Sequence, residues 1–338
     1  MPNNVSQPDK LSAGSASPDS SFPDPGFPDL SIEGPSSARV KASRDRCESL
    51  YDLDPHSRLL YNRYSQSELV PRLEKVEEPL ARAQPLITNI RTVVKNADYC
   101  MLIADDECAA IAEYHDTDLA RYLKKQGIAA GTLWDEECVG TNGIGTSTAD
   151  TAPVTVNGEQ HYHSKFYQFI CSAAPLIDQF GRRYGALNVT GPATKSATEV
   201  VKLSQFVRRA VANLHSHVFR DYFQDHRLVV IADDRFNSSE SMSKVFAIDD
   251  AANIVGVTND LLASLEVDSR EDLIGTPLSN HIGLDVDKLI SSDERLHELE
   301  QGKLDGRYAL SVPPTKPKSR RSAPKVSNYS KDQAAVKC

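Results

Sequence analysis

The stretch "SAAPLIDQFGRRYGALNV" (172–189) is an apolar run ending at Ile177, then Asp178 with a polar turn, then a second apolar run. Asp in such a turn accepts hydrogen bonds from its own downstream backbone and closes a hairpin. "YCMLIADDECAAIAEY" (99–114) and "KVFAIDDAANIVGVTN" (244–259) follow the same plan. Three copies, far apart in the chain, are too few for a solenoid. They predict equivalent hairpins in the antiparallel sheets of two related domains, an α+β fold.

Helical patterns flank these hairpins. Residues 71–97 read as a helix interrupted by Pro79 and Pro85. "TDLARYLKKQ" (117–126) reads as a short helix capped by Thr117 or Asp116 and stopped at Gly127. The longest candidate runs from about residue 196 to 226, with Val200, Leu203, Val207, Ala210, Leu214 and Val218 forming one apolar stripe. That stripe serves either to cover the parent sheet or to pair with its copy in a homodimer.

At 338 residues the chain has room for two compact domains. A net charge of −9 makes it a poor binder of nucleic acid or acidic membrane surfaces. No run approaches the roughly 18 apolar residues of a membrane span, and the first twenty residues hold no apolar core of a secretory signal. Six scattered cysteines without a CxxC pair suggest reduced thiols and a cytoplasmic protein. Of residues 1–40, 19 are Pro, Ser or Gly, so 1–43 reads as a disordered tail. Residues 311–338 carry 7 Lys/Arg against 1 Asp, a solvated basic tail without the helix or aromatic interleaving of a nucleic-acid reader.

"CVGTNGIGTSTADTAPVTVNGEQHYHS" (138–164) has the glycine density of a phosphate loop but not its chemistry. It lacks the lysine of GxxxxGK[ST], runs GxxGxG rather than GxGxxG, and follows the acidic "DEE" (135–137). A helix over roughly 142–150, capped by Thr141 or Asn142 and ended before Pro153, fits better, followed by a strand at 153–158. Together they would roof one face of the sheet.

This region resembles the sensory part of the acetoin and glycerol/dihydroxyacetone regulators, bacterial enhancer-binding transcription activators. The resemblance rests on "GTLWDEECVGTNGIGT" (131–146), "PVTVNGEQHY" (153–162) and "CSAAPLIDQFG" (171–181). These match G-x-x-W-x-E-x-x-x-G-T-N-x-I-G-T, P-V-x-V-x-G-x-E-H (Glu159 and His161, one place displaced) and C-S-A-A-P-I-x-D-x-x-G. Upstream, "RCESLYDLDP" (46–55) resembles the family's opening motif without its tryptophan. The resemblance spans about 44–220 and implies a GAF domain. "KVFAIDDAANIVGVTNDLLASLEVDSREDLIGTPL" (244–278) resembles the start of a PAS domain, abbreviated after "GRYALSV" (306–312). The implied layout is a disordered tail (1–43), an N-terminal helical region (44–98), a GAF domain ending in a connecting helix (99–226), a PAS-like domain (240–312) and a basic disordered tail (313–338). Relatives continue into an ATPase and a helix-turn-helix; neither motif set is present here.

The implied ligand pocket consists of Trp134, Glu136, Thr141, Asn142, His161, His163 and Cys171. His161 and His163 would share one face of a strand if Gln160–Lys165 is extended, but their spacing matches no strong zinc pattern. Cys138 sits beside Glu136 and Glu137, and Cys171 opens an apolar strand, so neither is placed to be an activated thiolate. Trp134, Tyr162, Phe166, Tyr167 and Phe169 serve either as sheet-covering core or as a ligand box. The expectation is a cytoplasmic, non-enzymatic regulator with no cofactor or metal. It would bind a small-molecule ligand or a metabolic-enzyme partner, act through an ATPase-bearing regulator in trans, form a homodimer, and bind neither DNA nor membrane. The alternative is a small GAF-scaffold enzyme using Cys or His for redox or metal chemistry.

Overall fold

The computed structural model describes residues 35–59, 61–115, 117–233, 243–265, 267, 269–292, 295–300, 302–304 and 306–315. The tails expected over 1–34 and 316–338 lie outside them. The fold is α+β, with two antiparallel five-stranded sheets.

Helices α1 (Pro35–Ser49) and α2 (Gln66–Asn96) precede the first sheet. Disorder through residue 43 is therefore corrected: α1 begins at Pro35, and its Val40 packs with Val154 and Val156. Interruption of α2 is corrected too. Pro71, Pro79 and Pro85 all lie inside one continuous helix. Each proline removes a backbone donor, but burial of Leu69, Val76, Ala83, Ile87, Ile90 and Val94 against the sheet offsets those losses.

The first sheet has the order β2-β1-β5-β4-β3, from β1 (Cys100–Asp105), β2 (Ala110–Tyr114), β3 (Val154–Asn157), β4 (Phe169–Ile177) and β5 (Arg183–Pro192). Between β2 and β3 come α3 (Thr117–Lys125), α4 (Glu136–Val139) and α5 (Gly143–Asp150). Alternation along the strands sends Met101, Ile103, Leu187 and Val189 to one face and Leu102, Ala104 and Ala186 to the other. The first face is covered by α2 and α6 (Ala197–Tyr222), the second by the segment carrying α3, α4 and α5. The α6 stripe from Leu203 to Val218 is spent on this sheet and α2, so it is not a surface for a second copy.

The second sheet, β8-β7-β6-β10-β9, is built from β6 (Arg227–Ala232), β7 (Val245–Ile248), β8 (Ile254–Val257), β9 (Leu296–Glu298) and β10 (Tyr308–Val312). Helices α7 (Asn259–Leu265) and α8 (Val286–Ser291) contribute Leu261, Leu265 and Leu289 to one of its faces. The other face receives Phe219 and Phe223 from the end of α6. Gly256 makes room there: a Cβ on it would lie 2.5 Å from Phe223 Cζ.

The three hairpins close alike. Asp105 Oδ1 accepts from the backbone N–H of Glu107 and Ala109, Asp178 Oδ1 from Phe180 and Arg182, and Asp249 Oδ1 from Ala251 and Asn253. Three residues after each Asp the chain turns left-handed, at Cys108 (φ 66°), Gly181 (φ 80°) and Ala252 (φ 61°). That is the three-residue loop with a bulge, and each ladder shifts register beside it. The sheets differ in connectivity: the central strand is the last in sequence in the first sheet (β5) and the first in the second (β6).

Candidate functional site

The glycine-rich stretch folds as a roof over the first sheet. Asn142 caps α5, its Oδ1 accepting from Gly145 N–H at 2.9 Å. Its Nδ2 donates to the carbonyls of Trp134 (2.9 Å) and Gly140 (2.8 Å), tying α5 to the segment before α4. The glycines serve close approach. A Cβ on Gly145 would lie 2.5 Å from Trp134 O, and one on Gly140 (φ 74°) would lie 2.5 Å from Tyr162 Cβ.

Beneath the roof is a cavity lined by Leu102 and Ile128, by Trp134, Asn142, Gly143 and Ile144 of the roof segment, by His161 and Phe166, and by Cys171, Asn188 and Thr190 of the sheet. Its free space accommodates about one water molecule. Trp134 stacks obliquely on Phe166, centroids 5.4 Å apart, and His161 lies 6.2 Å from the same ring. Trp134, Phe166 and Phe169 are buried core that also bounds the cavity, whereas the Tyr162 ring lies toward α1 beneath Arg44.

Four of the seven expected pocket residues, Trp134, Asn142, His161 and Cys171, meet at this cavity. The other three face α1 and the loop after it. Arg46 Nε and Nη2 donate to Glu136 Oε2 and Oε1 at 2.7 and 2.9 Å. Ser43 Oγ donates to Thr141 Oγ1 at 2.8 Å, and His163 Nε2 donates to the Ser57 carbonyl at 2.7 Å. Residues 158–160 and 164–166 are single 3-10 turns, not a strand, so His161 and His163 do not share a face. Asn188 and Thr190 were not anticipated. Their signal was present in "ALNVTG" (186–191), where polar residues alternate with apolar ones inside a buried strand.

Charge is absent from the cavity wall. Burial pushes His161 down to about 4, against a smaller upward pull from the Gly158 carbonyl, so the ring is neutral at pH 7. Burial also pushes the thiols of Cys138 and Cys171 up to about 11 each, which keeps them protonated and poorly nucleophilic. The Glu136 carboxyl is pushed up by burial, but hydrogen bonds from Arg46, Ser43 and Thr146 outweigh this and hold it below the usual range. Among the described residues, no three His, Cys, Asp or Glu side chains cluster as metal ligands, and no helix is long and apolar enough to cross a membrane.

Residues 44–208 match the family described as the MimR N-terminal domain. The acetoin dehydrogenase operon transcriptional activator AcoR of Bacillus subtilis (strain 168) is 26% identical over 155 residues, 46% of this chain and 26% of AcoR. The acetoin catabolism regulatory protein of Cupriavidus necator is 25% identical over 278 residues, 82% of this chain and 40% of that protein. The propane 2-monooxygenase operon transcriptional activator MimR of Mycolicibacterium smegmatis is 29% identical over 147 residues, 43% of this chain and 22% of MimR. Among solved structures, the E. coli DhaR(N)–DhaL complex aligns with a TM-score of 0.47 and 14% identity, covering 82% of this chain and 99% of the matched one. The chain thus spans well under half the length of these curated relatives. Through residues 44–208, which contain the whole cavity, the protein belongs to the MimR N-terminal domain family and is homologous to the acetoin- and DhaR-type transcriptional activators.

Proposed function

We propose that this protein is a sensory regulator of catabolic genes whose roofed cavity registers a small metabolite. The observation carrying this reading is an enclosed, mostly apolar cavity with a few convergent polar groups, inside a domain shared with transcriptional activators. Relatives named for acetoin catabolism and for a propane monooxygenase operon favour a short-chain metabolite.

The relay runs along α6. Its Leu203–Val218 stripe lies under the sheet that floors the cavity, and Phe219 and Phe223 pack on the second sheet. That second unit, read as PAS-like, passes the change to an ATPase-bearing regulator in trans or to a metabolic-enzyme partner. Homodimerisation is part of the proposal, through a surface other than the α6 stripe.

A thermal-shift screen of the full chain against short-chain metabolites tests the reading, because a ligand of the native state stabilises it by mass action. Support would be a stabilisation lost on substituting a cavity residue but kept when the α1-facing His163 is substituted. No stabilisation by any metabolite, with unchanged catabolic transcription in a deletion strain, would refute it.

A further inference from the structure

The cavity holds three polar atoms with no hydrogen-bond partner: Trp134 Nε1, His161 Nε2 and Asn188 Oδ1. Their residues are only 5%, 1% and 3% exposed, so bulk water does not satisfy them. Native interiors rarely leave one such atom unpaired, and three around one space point to a missing occupant.

The neighbours set each atom's role. An indole nitrogen only donates. His161 Nδ1 lies 3.0 Å from the Gly158 carbonyl, which only accepts, so the ring proton sits on Nδ1 and Nε2 presents a lone pair. Asn188 Nδ2 donates to Thr190 Oγ1 at 2.8 Å, leaving Oδ1 as an acceptor. The cavity therefore offers one donor and two acceptors, and its occupant must supply two donors and one acceptor. No charged side chain lines the wall, which disfavours carboxylates, phosphates and amines. Leu102, Ile128, Ile144 and Phe166 offer contact to a short carbon skeleton.

Building on the sensory reading, we propose that the cavity takes a small neutral vicinal diol. Its two hydroxyl protons go to His161 Nε2 and Asn188 Oδ1, and one of its oxygens accepts from Trp134 Nε1. A water molecule has the same hydrogen-bond capacity and fills the closed cavity. The diol displaces that water, and α5 yields to admit the carbons. A hydroxyketone brings one donor and leaves an acceptor unpaired; a simple ketone leaves both.

Trp134 is the only tryptophan in the chain, so its emission reports directly on the cavity. The full chain would be titrated with butane-2,3-diol, 3-hydroxybutan-2-one, butan-2-one and lactate. The diol should bind tightest, the hydroxyketone about tenfold more weakly and the ketone about tenfold more weakly again, one unpaired buried acceptor per step. His161→Phe removes one acceptor and should reverse the order, favouring the hydroxyketone over the diol. Asn188→Leu predicts the same reversal and serves if the first variant does not fold. Tighter binding of the hydroxyketone, ketone or lactate by the wild type would overturn the diol while leaving metabolite sensing intact. No spectral response to any probe at millimolar concentration would mean a structural water only, and would remove both.

Discussion

Arg46 grips Glu136 with both edges of its guanidinium and reaches Asp150 at 3.2 Å, so one side chain of α1 holds the first turn of α4 and the last residue of α5. Glu136 is 4% exposed while Arg46 is partly open to solvent. Removing Arg46 strands a buried carboxylate, so Arg46→Ala should cost about 2–4 kcal/mol. Glu136→Gln should cost less, and combining the two should recover part of the loss of Arg46→Ala. Urea denaturation of the four proteins measures the coupling.

Asn142 satisfies one orphan N–H and two carbonyls at once, all buried. Asn142→Ala should destabilise by about 2–3 kcal/mol, more than an ordinary cap loss. Asn142→Asp keeps the cap to Gly145 but places a carboxylate against two carbonyl oxygens. It should be worse than alanine, a ranking that simple cap strength would invert; chemical denaturation at pH 7 decides it.

Of the three left-handed hairpin positions, only Gly181 is glycine. Cβ crowding makes this conformation costly for other residues. Ala252→Gly should therefore stabilise by about 0.5–1 kcal/mol. Gly181→Ala should destabilise, because its Cβ would also run into the Arg270 guanidinium. Melting temperatures of the two variants should move in opposite directions.

His161 and His215 are both pushed down to about 4 by burial. Each folded value lies below the unfolded one, so the unfolded chain binds more protons between about pH 4 and 6.5. Their contribution to stability is complete above 6.5 and is lost as pH falls toward 4. The loss is on the order of 3 kcal/mol for each histidine, and His161→Gln should remove its share of the slope. Thermal midpoints across this window would test the sign.

Much of the architecture was legible in the sequence because it is local. An aspartate closing a turn and an asparagine capping a helix act through their own neighbouring backbone, as Asp105, Asp178, Asp249 and Asn142 do. The misread parts depend on distant partners. The prolines of α2 are tolerated because a sheet and α6 cover the helix. The start of α1 is ordered because Ser36 and Val40 meet β3. At the site, Glu136 and Thr141 looked like pocket residues because they sit in the same motif as Asn142. Only the fold shows that they face Arg46 and Ser43, on the far side of the roof from the cavity.

The end of α6 leaves no clean place to divide this chain. A fragment stopping at Tyr222 would bare Phe219, and one starting at Arg227 would uncover Leu228, Val230, Val245 and Ala247. Both would present fresh apolar surface and invite aggregation. The two sheets are in this sense one thermodynamic object. Calorimetry on the described region should show a single cooperative transition rather than two.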